Sequence, residues 1–150
     1  MDFEIISKSI GSGNLQDVKQ LIDAGIPLYN ENRLVLSCAV KLDSYRRTPM
    51  IKLLIDNGAP FNTYRNVFLH TLFSSECDDD LIELIEYCVN NGCDVFKVDF
   101  HGRTALDWAK KCARRQIARG FISENRLLAI EYLESLMYKC ALKNHKGPGF

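Results

Sequence analysis

The stretch Leu21-Ile22-Asp23-Ala24-Gly25-Ile26-Pro27 returns as Leu54-Ile55-Asp56-Asn57-Gly58-Ala59-Pro60. It returns again, more loosely, as Cys88-Val89-Asn90-Asn91-Gly92-Cys93-Asp94. The three glycines lie 33 and 34 residues apart. A second landmark reads Leu36-Ser37-Cys38-Ala39, Leu69-His70-Thr71-Leu72 and Leu106-Asp107-Trp108-Ala109, with its leucines 33 and 37 apart. Two landmarks recurring at similar periods mark a repeat protein. Each unit is too small to bury its own apolar face and must stack on its neighbours.

The physics of a single unit can be read directly. Leu15, Val18, Leu21 and Ile22 fall on one face of a helix. Asn14 is placed to cap its first turn, and Gly25 to end it in the left-handed conformation. In the second unit Thr48 is the expected N-cap, with Pro49 at the first helical position, where a missing N–H costs nothing. Met50, Ile51, Leu53, Leu54 and Ile55 supply the apolar face there, and Gly58 the stop. The third unit opens with Asp78-Asp79-Asp80, negative charge expected at the positive end of a helix dipole. Leu81, Ile82, Leu84, Ile85 and Val89 then face inward, up to Gly92. A shorter apolar pattern precedes each long helix after the first. A unit therefore reads short helix, turn, longer helix, linking loop.

These residues resemble the ankyrin repeat. The closest stretch is Asp99-Phe100-His101-Gly102-Arg103-Thr104-Ala105-Leu106-Asp107-Trp108-Ala109, similar to the family pattern Asp-x-x-Gly-x-Thr-Pro-Leu-His-x-Ala. Asn57-Gly58-Ala59-Pro60-Phe61-Asn62 and Asn91-Gly92-Cys93-Asp94-Val95 resemble its Gly-Ala-Asp-Val-Asn segment, and Gly13-Asn14-Leu15 its Gly-Asn at the second helix. The resemblance implies an all-α solenoid of four stacked helix pairs joined by short loops or hairpins. Its repeats would cover about 1–30, 31–63, 64–97 and 98–140, in a domain of residues 1–142 with a flexible tail over 143–150. The earlier units lack Gly-x-Thr, their inter-helix turns carry extra residues, and the last repeat has an insertion between Ala109 and Ile130.

Composition narrows the function classes. Hydrophobic residues make up 47% and charged residues 25% of the 150, enough for a packed core. No uncharged run is long enough to span a membrane, and the charged N-terminus is unlike a secretory signal. Six cysteines lack a CxxC pair, and Cys38 and Cys88 fall in apolar helical positions. Free thiols and a reducing compartment, cytoplasmic or nuclear, are expected. The net charge is zero, yet residues 1–96 carry 8 Lys+Arg against 14 Asp+Glu, and residues 97–150 carry 11 against 5.

The family's variable contact positions map onto Asn30, Glu31 and Arg33, then Thr63, Tyr64 and Asn66, then Phe100, His101 and Arg103. Tyr64, Phe100, His101 and Arg103 are the hot-spot candidates, being residue types that carry binding energy at loop tips. The alternative for Tyr64 and Phe100 is packing onto their own repeat. By the resemblance His70 braces neighbouring loops, and Trp108 is expected in the core. The densest basic run is Lys110, Lys111, Arg114, Arg115 and Arg119, with Arg126 beyond. It reads as a solvated helix extension, a patch for an acidic partner or for nuclear import, or a nucleic-acid contact. No phosphate loop, nucleophile elbow, HExxH or calcium-loop spacing occurs, so no catalytic residue, cofactor or metal is expected.

The resulting expectation is a non-catalytic module, monomeric on its own, that binds a protein through its concave face as an adaptor or inhibitor. Small degenerate ankyrin proteins of this kind are similar to those of viruses and intracellular pathogens, an analogy at the level of fold. The alternatives are a structural subunit of an assembly, or binding of nucleic acid or an acidic partner through the basic C-terminal half.

Overall fold

A computed structural model describes residues 2–63 and 66–145. The chain is helical, in the order α1 (Asp2–Gly11), α2 (Leu15–Asp23), a 3₁₀ turn (Leu36–Ala39), α3 (Ser44–Asp56), α4 (Phe68–Phe73), α5 (Leu81–Asn90), α6 (Ala105–Ala118) and α7 (Glu124–His145). Among the described residues the sole β feature is an isolated antiparallel bridge between Asn62 and Val67.

The helices pair as α1/α2, the 3₁₀ turn/α3, α4/α5 and α6/α7. The pairs stack in two rows. In the front row α1 touches the 3₁₀ turn, which touches α4, which touches α6. In the back row α2 touches α3, α3 touches α5 and α5 touches α7. The core runs between the rows through Ile6, Ile10, Leu36, Met50, Leu54, Phe68, Leu72, Leu84, Ile85, Ala109 and Leu133, all fully buried. The first pair has a front helix of its own, although its sequence lacks the front landmark. The expected insertion after Ala109 lengthens α6 to 14 residues. The expected tail begins inside α7, and residues 146–150 lie outside those described.

The repeated glycine is the local reason for the repeat. Gly25, Gly58 and Gly92 have φ of 89°, 86° and 95°. Beside each, two backbone N–H groups turn back onto the helix just ended. For α3 the Gly58 amide donates to the Ile55 carbonyl, and the Ala59 amide to that of Leu54, both at 3.0 Å. This left-handed closure satisfies carbonyls at the helix end that would otherwise have no partner.

Two helix starts compare differently with the sequence. Asn14 caps α2, its side chain accepting from the Asp17 amide at 3.1 Å. Thr48 does not cap α3. Asp43 does, accepting from the Arg46 amide at 3.1 Å, and α3 begins at Ser44. The extra residues read as a longer turn are therefore an extra turn of helix, and Pro49 lies inside it. Thr48 instead donates its hydroxyl to Asp80 across the stack at 2.9 Å.

The acidic triplet also serves a different purpose from the one expected. Asp80 sits at the cap position of α5 but makes no capping bond. It accepts from the fully buried Arg47 of α3, through Nε at 3.0 Å and through a close Nη2 contact. Asp78 accepts from the fully buried Arg126 of α7, whose Nε lies at 3.0 Å. Arg126 is thus no part of a solvated basic run. Its Nη1 donates to the Phe73 carbonyl and its Nη2 to that of Ser75, each at 2.6 Å. The third pair's turn is clamped from both sides by arginines on neighbouring repeats.

Candidate functional site

The solvent side of the front row is grooved. One depression of about 380 Å³ is lined by Phe3, Arg33, Ser37, Cys38, Asn66 and Thr71. A second, of about 210 Å³, adjoins it and shares Asn66 and Thr71, continuing past His70, Ser74, Asp99, Arg103 and Trp108. The linking loops form one wall and the short helices the floor.

Bonds between units repeat at the period of the sequence and hold the loop wall in place. The Asn66 Nδ2 donates to the Asn32 carbonyl, 34 residues away, at 3.1 Å. His70 sits 2.8 Å by its Nε2 from the Arg103 carbonyl, 33 residues on. That bond makes Nε2 the donor and leaves Nδ1 buried with no partner in the described structure. In the last loop Asp99 gathers the chain. Its Oδ1 accepts from the amides of His101 and Arg103 at 2.9 and 3.0 Å, and its Oδ2 from the Arg103 Nε at 3.0 Å. Burial works to raise the Asp99 pKa, but these amide and guanidinium bonds outweigh it and hold the carboxyl below its usual range. Next along, Thr104 and Asp107 cap α6 reciprocally, each side chain accepting from the other's amide.

The nine loop positions picked from the sequence divide. Arg33, Asn66 and Arg103 line the groove. Asn30 and Thr63 shape their own loops instead: the Asn30 Oδ1 accepts from the Asn32 and Arg33 amides, and the Thr63 Oγ1 from the Asn66 amide. Glu31, Phe100 and His101 are exposed at loop tips, Phe100 to 63%. Tyr64 lies outside the described residues.

The basic run is not one patch. Lys110 pairs with Glu134 of α7 at 2.9 Å, and Arg114 is exposed beside it. Lys111 and Arg115 lie three and seven residues beyond Trp108, on the same face of α6 as its indole, and Arg119 continues that face. Trp108 is not a core residue. It is half-buried, with its Nε1 donating to the Ser74 hydroxyl at 2.8 Å. Three cations lie over its ring: Arg103 at 4.6 Å, Lys111 at 5.9 Å and Arg115 at 5.9 Å from the centroid. At the other end of the groove Arg33 lies 5.5 Å from the Phe3 ring.

The counting that located the loop positions went backward from each front leucine and missed the floor. Counting forward two residues from Leu36, Leu69 and Leu106 gives Cys38, Thr71 and Trp108, the column along the groove. Among the described residues no group of His, Cys, Asp and Glu could hold a metal, and no helix is long and apolar enough to cross a membrane.

Two rows of helices, left-handed glycines at the helix ends and loops braced at a 33-residue step are together diagnostic. This is an ankyrin-repeat fold. Among solved structures it is similar to the human ASB11 ankyrin repeat domain, with a TM-score of 0.55 and 19% identity. The match covers 69% of this chain and 46% of that one. No family model and no curated protein sequence matches the chain. The likeness is one of fold, and the groove described above runs along the solvent side of its front row.

Proposed function

We propose that residues 1–142 form a binding module, an adaptor or inhibitor that occupies a partner protein through the concave groove. The observation that carries this reading is the composition of the groove. A continuous depression is floored by Cys38, Thr71 and Trp108 and walled by Arg33, Asn66 and Arg103. Aromatic and arginine side chains held partly desolvated are the types that dominate binding energy. They are preorganised here, since Trp108, Asn66 and Arg103 are each hydrogen-bonded in the free chain. Phe100 and His101 project from the adjoining loop tip and extend the surface.

A partner captured from cell extract and identified by mass spectrometry provides the test. Its affinity and the melting temperature are measured together for Phe100→Ala, Trp108→Ala and Thr71→Arg. Anchors that fill a partner's pocket lose about 2 kcal/mol or more, roughly thirtyfold in affinity. Phe100→Ala is expected to weaken binding, and Thr71→Arg to block the groove. Unchanged affinity in all three variants would place the partner elsewhere and end this reading.

A further inference from the structure

We propose that the end of the groove around Trp108 takes an acidic segment of the protein partner, its Asp or Glu side chains seated on Arg103, Lys111 and Arg115. The inference rests on the concave-face reading and adds the chemistry of what is held there. It starts from charge that the fold leaves uncompensated. Five cations elsewhere are matched, Arg46 with Asp43, Arg47 with Asp80, Lys52 with Glu83, Lys110 with Glu134 and Arg126 with Asp78, while others such as Lys41, Arg114 and Arg119 stand singly among the described residues. What marks this site is three cations gathered on one ring. Around the indole three positive charges face one carboxylate, Asp99, bound to the Arg103 Nε at 3.0 Å. Lys111 and Arg115 have no ion-pair partner among the described residues, although each lies 5.9 Å from the ring centroid.

The ring supplies what a bare basic patch lacks. Trp108 is fixed by its bond to Ser74 and by packing on the core. A cation resting on an aromatic face is already restricted, so it gives up less freedom when a carboxylate arrives. The Arg103 guanidinium over the ring uses its Nε on Asp99. Its two terminal nitrogens have no hydrogen-bond partner among the described residues, and they can take a second carboxylate in forked geometry.

Nucleic acid fits less well. Base stacking needs an open ring face, and the Arg103 guanidinium already lies 4.6 Å from this ring's centroid. Along the rest of the groove a longer polyanion finds one further cation, Arg33, too few for the phosphate contacts on which nucleic-acid affinity rests. A short acidic run matches both the size and the sign of the site.

Trp108 is the chain's only tryptophan, so its fluorescence reads this site alone. The full chain is titrated with a decaglutamate peptide at low salt. A saturable change in emission is expected, weakening as salt is raised. The double variant Lys111→Gln/Arg115→Gln is expected to bind about tenfold more weakly, the loss of two partly exposed ion pairs. Lys110→Gln/Arg114→Gln removes as much charge from another face of α6 and should stay within about twofold. Circular-dichroism melts confirm that both variants are folded. No saturable change with decaglutamate overturns the inference, as do equal losses in the two double variants. Tighter binding of decathymidylate than of decaglutamate also overturns it and makes the patch a nucleic-acid site. The Thr71→Arg variant separates the two levels. If it still blocks the captured partner while decaglutamate does not bind, only the acidic-segment inference falls. If the partner's affinity is unchanged in Thr71→Arg, Phe100→Ala and Trp108→Ala alike, the concave-face reading falls as well.

Discussion

Arg47 shows how much a single residue can carry that periodicity hides. Its place between Arg46 and Thr48 suggests an exposed helix face, yet it is fully buried and gives hydrogen bonds to Asp80, Ser75 and the carbonyls of Val40 and Cys77. Removing one partner of a buried ion pair strands the other charge. Arg47→Ala is expected to cost about 3–5 kcal/mol in chemical denaturation, and Arg47→Met with Asp80→Leu to restore much of that. Gly58 is the opposite case, a residue whose role is plain from the sequence. A Cβ there would meet nothing within 4 Å, but φ is 86°. Gly58→Ala therefore tests backbone conformation alone and should lose about 1 kcal/mol. Among the thiols, burial pushes Cys93 up to about 12, with Asp94 adding to it, and burial with Cys93 beside it raises Cys88 further. Both should resist alkylation at neutral pH in the folded chain and react on unfolding.

At the scale of elements, legibility followed locality. The start of α2 and the glycine stops depend on residues within a few positions of one another, and spacing alone revealed them. The start of α3 did not, because Thr48-Pro49 imitates a helix start while Asp43, five residues earlier, supplies the cap. The role of Asp78 and Asp80 was hidden for the opposite reason. Their partners are 48 and 33 residues away, and nothing in the triplet distinguishes a dipole partner from a salt-bridge acceptor. The groove was half legible: its loop wall follows a family pattern, while its floor needed the front helices placed side by side. The α6 loop also makes a pH prediction. The Asp99 carboxyl is held below its ordinary range in the folded chain, so the native state binds fewer protons than the unfolded chain near that pKa. Its contribution is complete above about pH 4 to 5 and is lost as pH falls through the folded value. Melting temperature should drop on acidification through that window, and less steeply in Asp99→Asn.

For the whole molecule, the stack relies on contacts between neighbours and on polar clamps at the repeat step, with all six cysteines free. Melting should be the same with and without reductant; a fall of several degrees on reduction would mean a disulfide carries part of the stability. The central claim is that this ankyrin stack works by holding a protein in the groove of its front row. Hydrogen exchange on the free chain and on its complex with a captured partner tests it most directly, because each amide reports its own protection. The account predicts added protection in the loops around Arg33, Asn66 and Arg103 and along the front helices from the 3₁₀ turn to α6, with α2, α3 and α5 little changed. Protection confined to the back row, or to the outer face of α7, would contradict it.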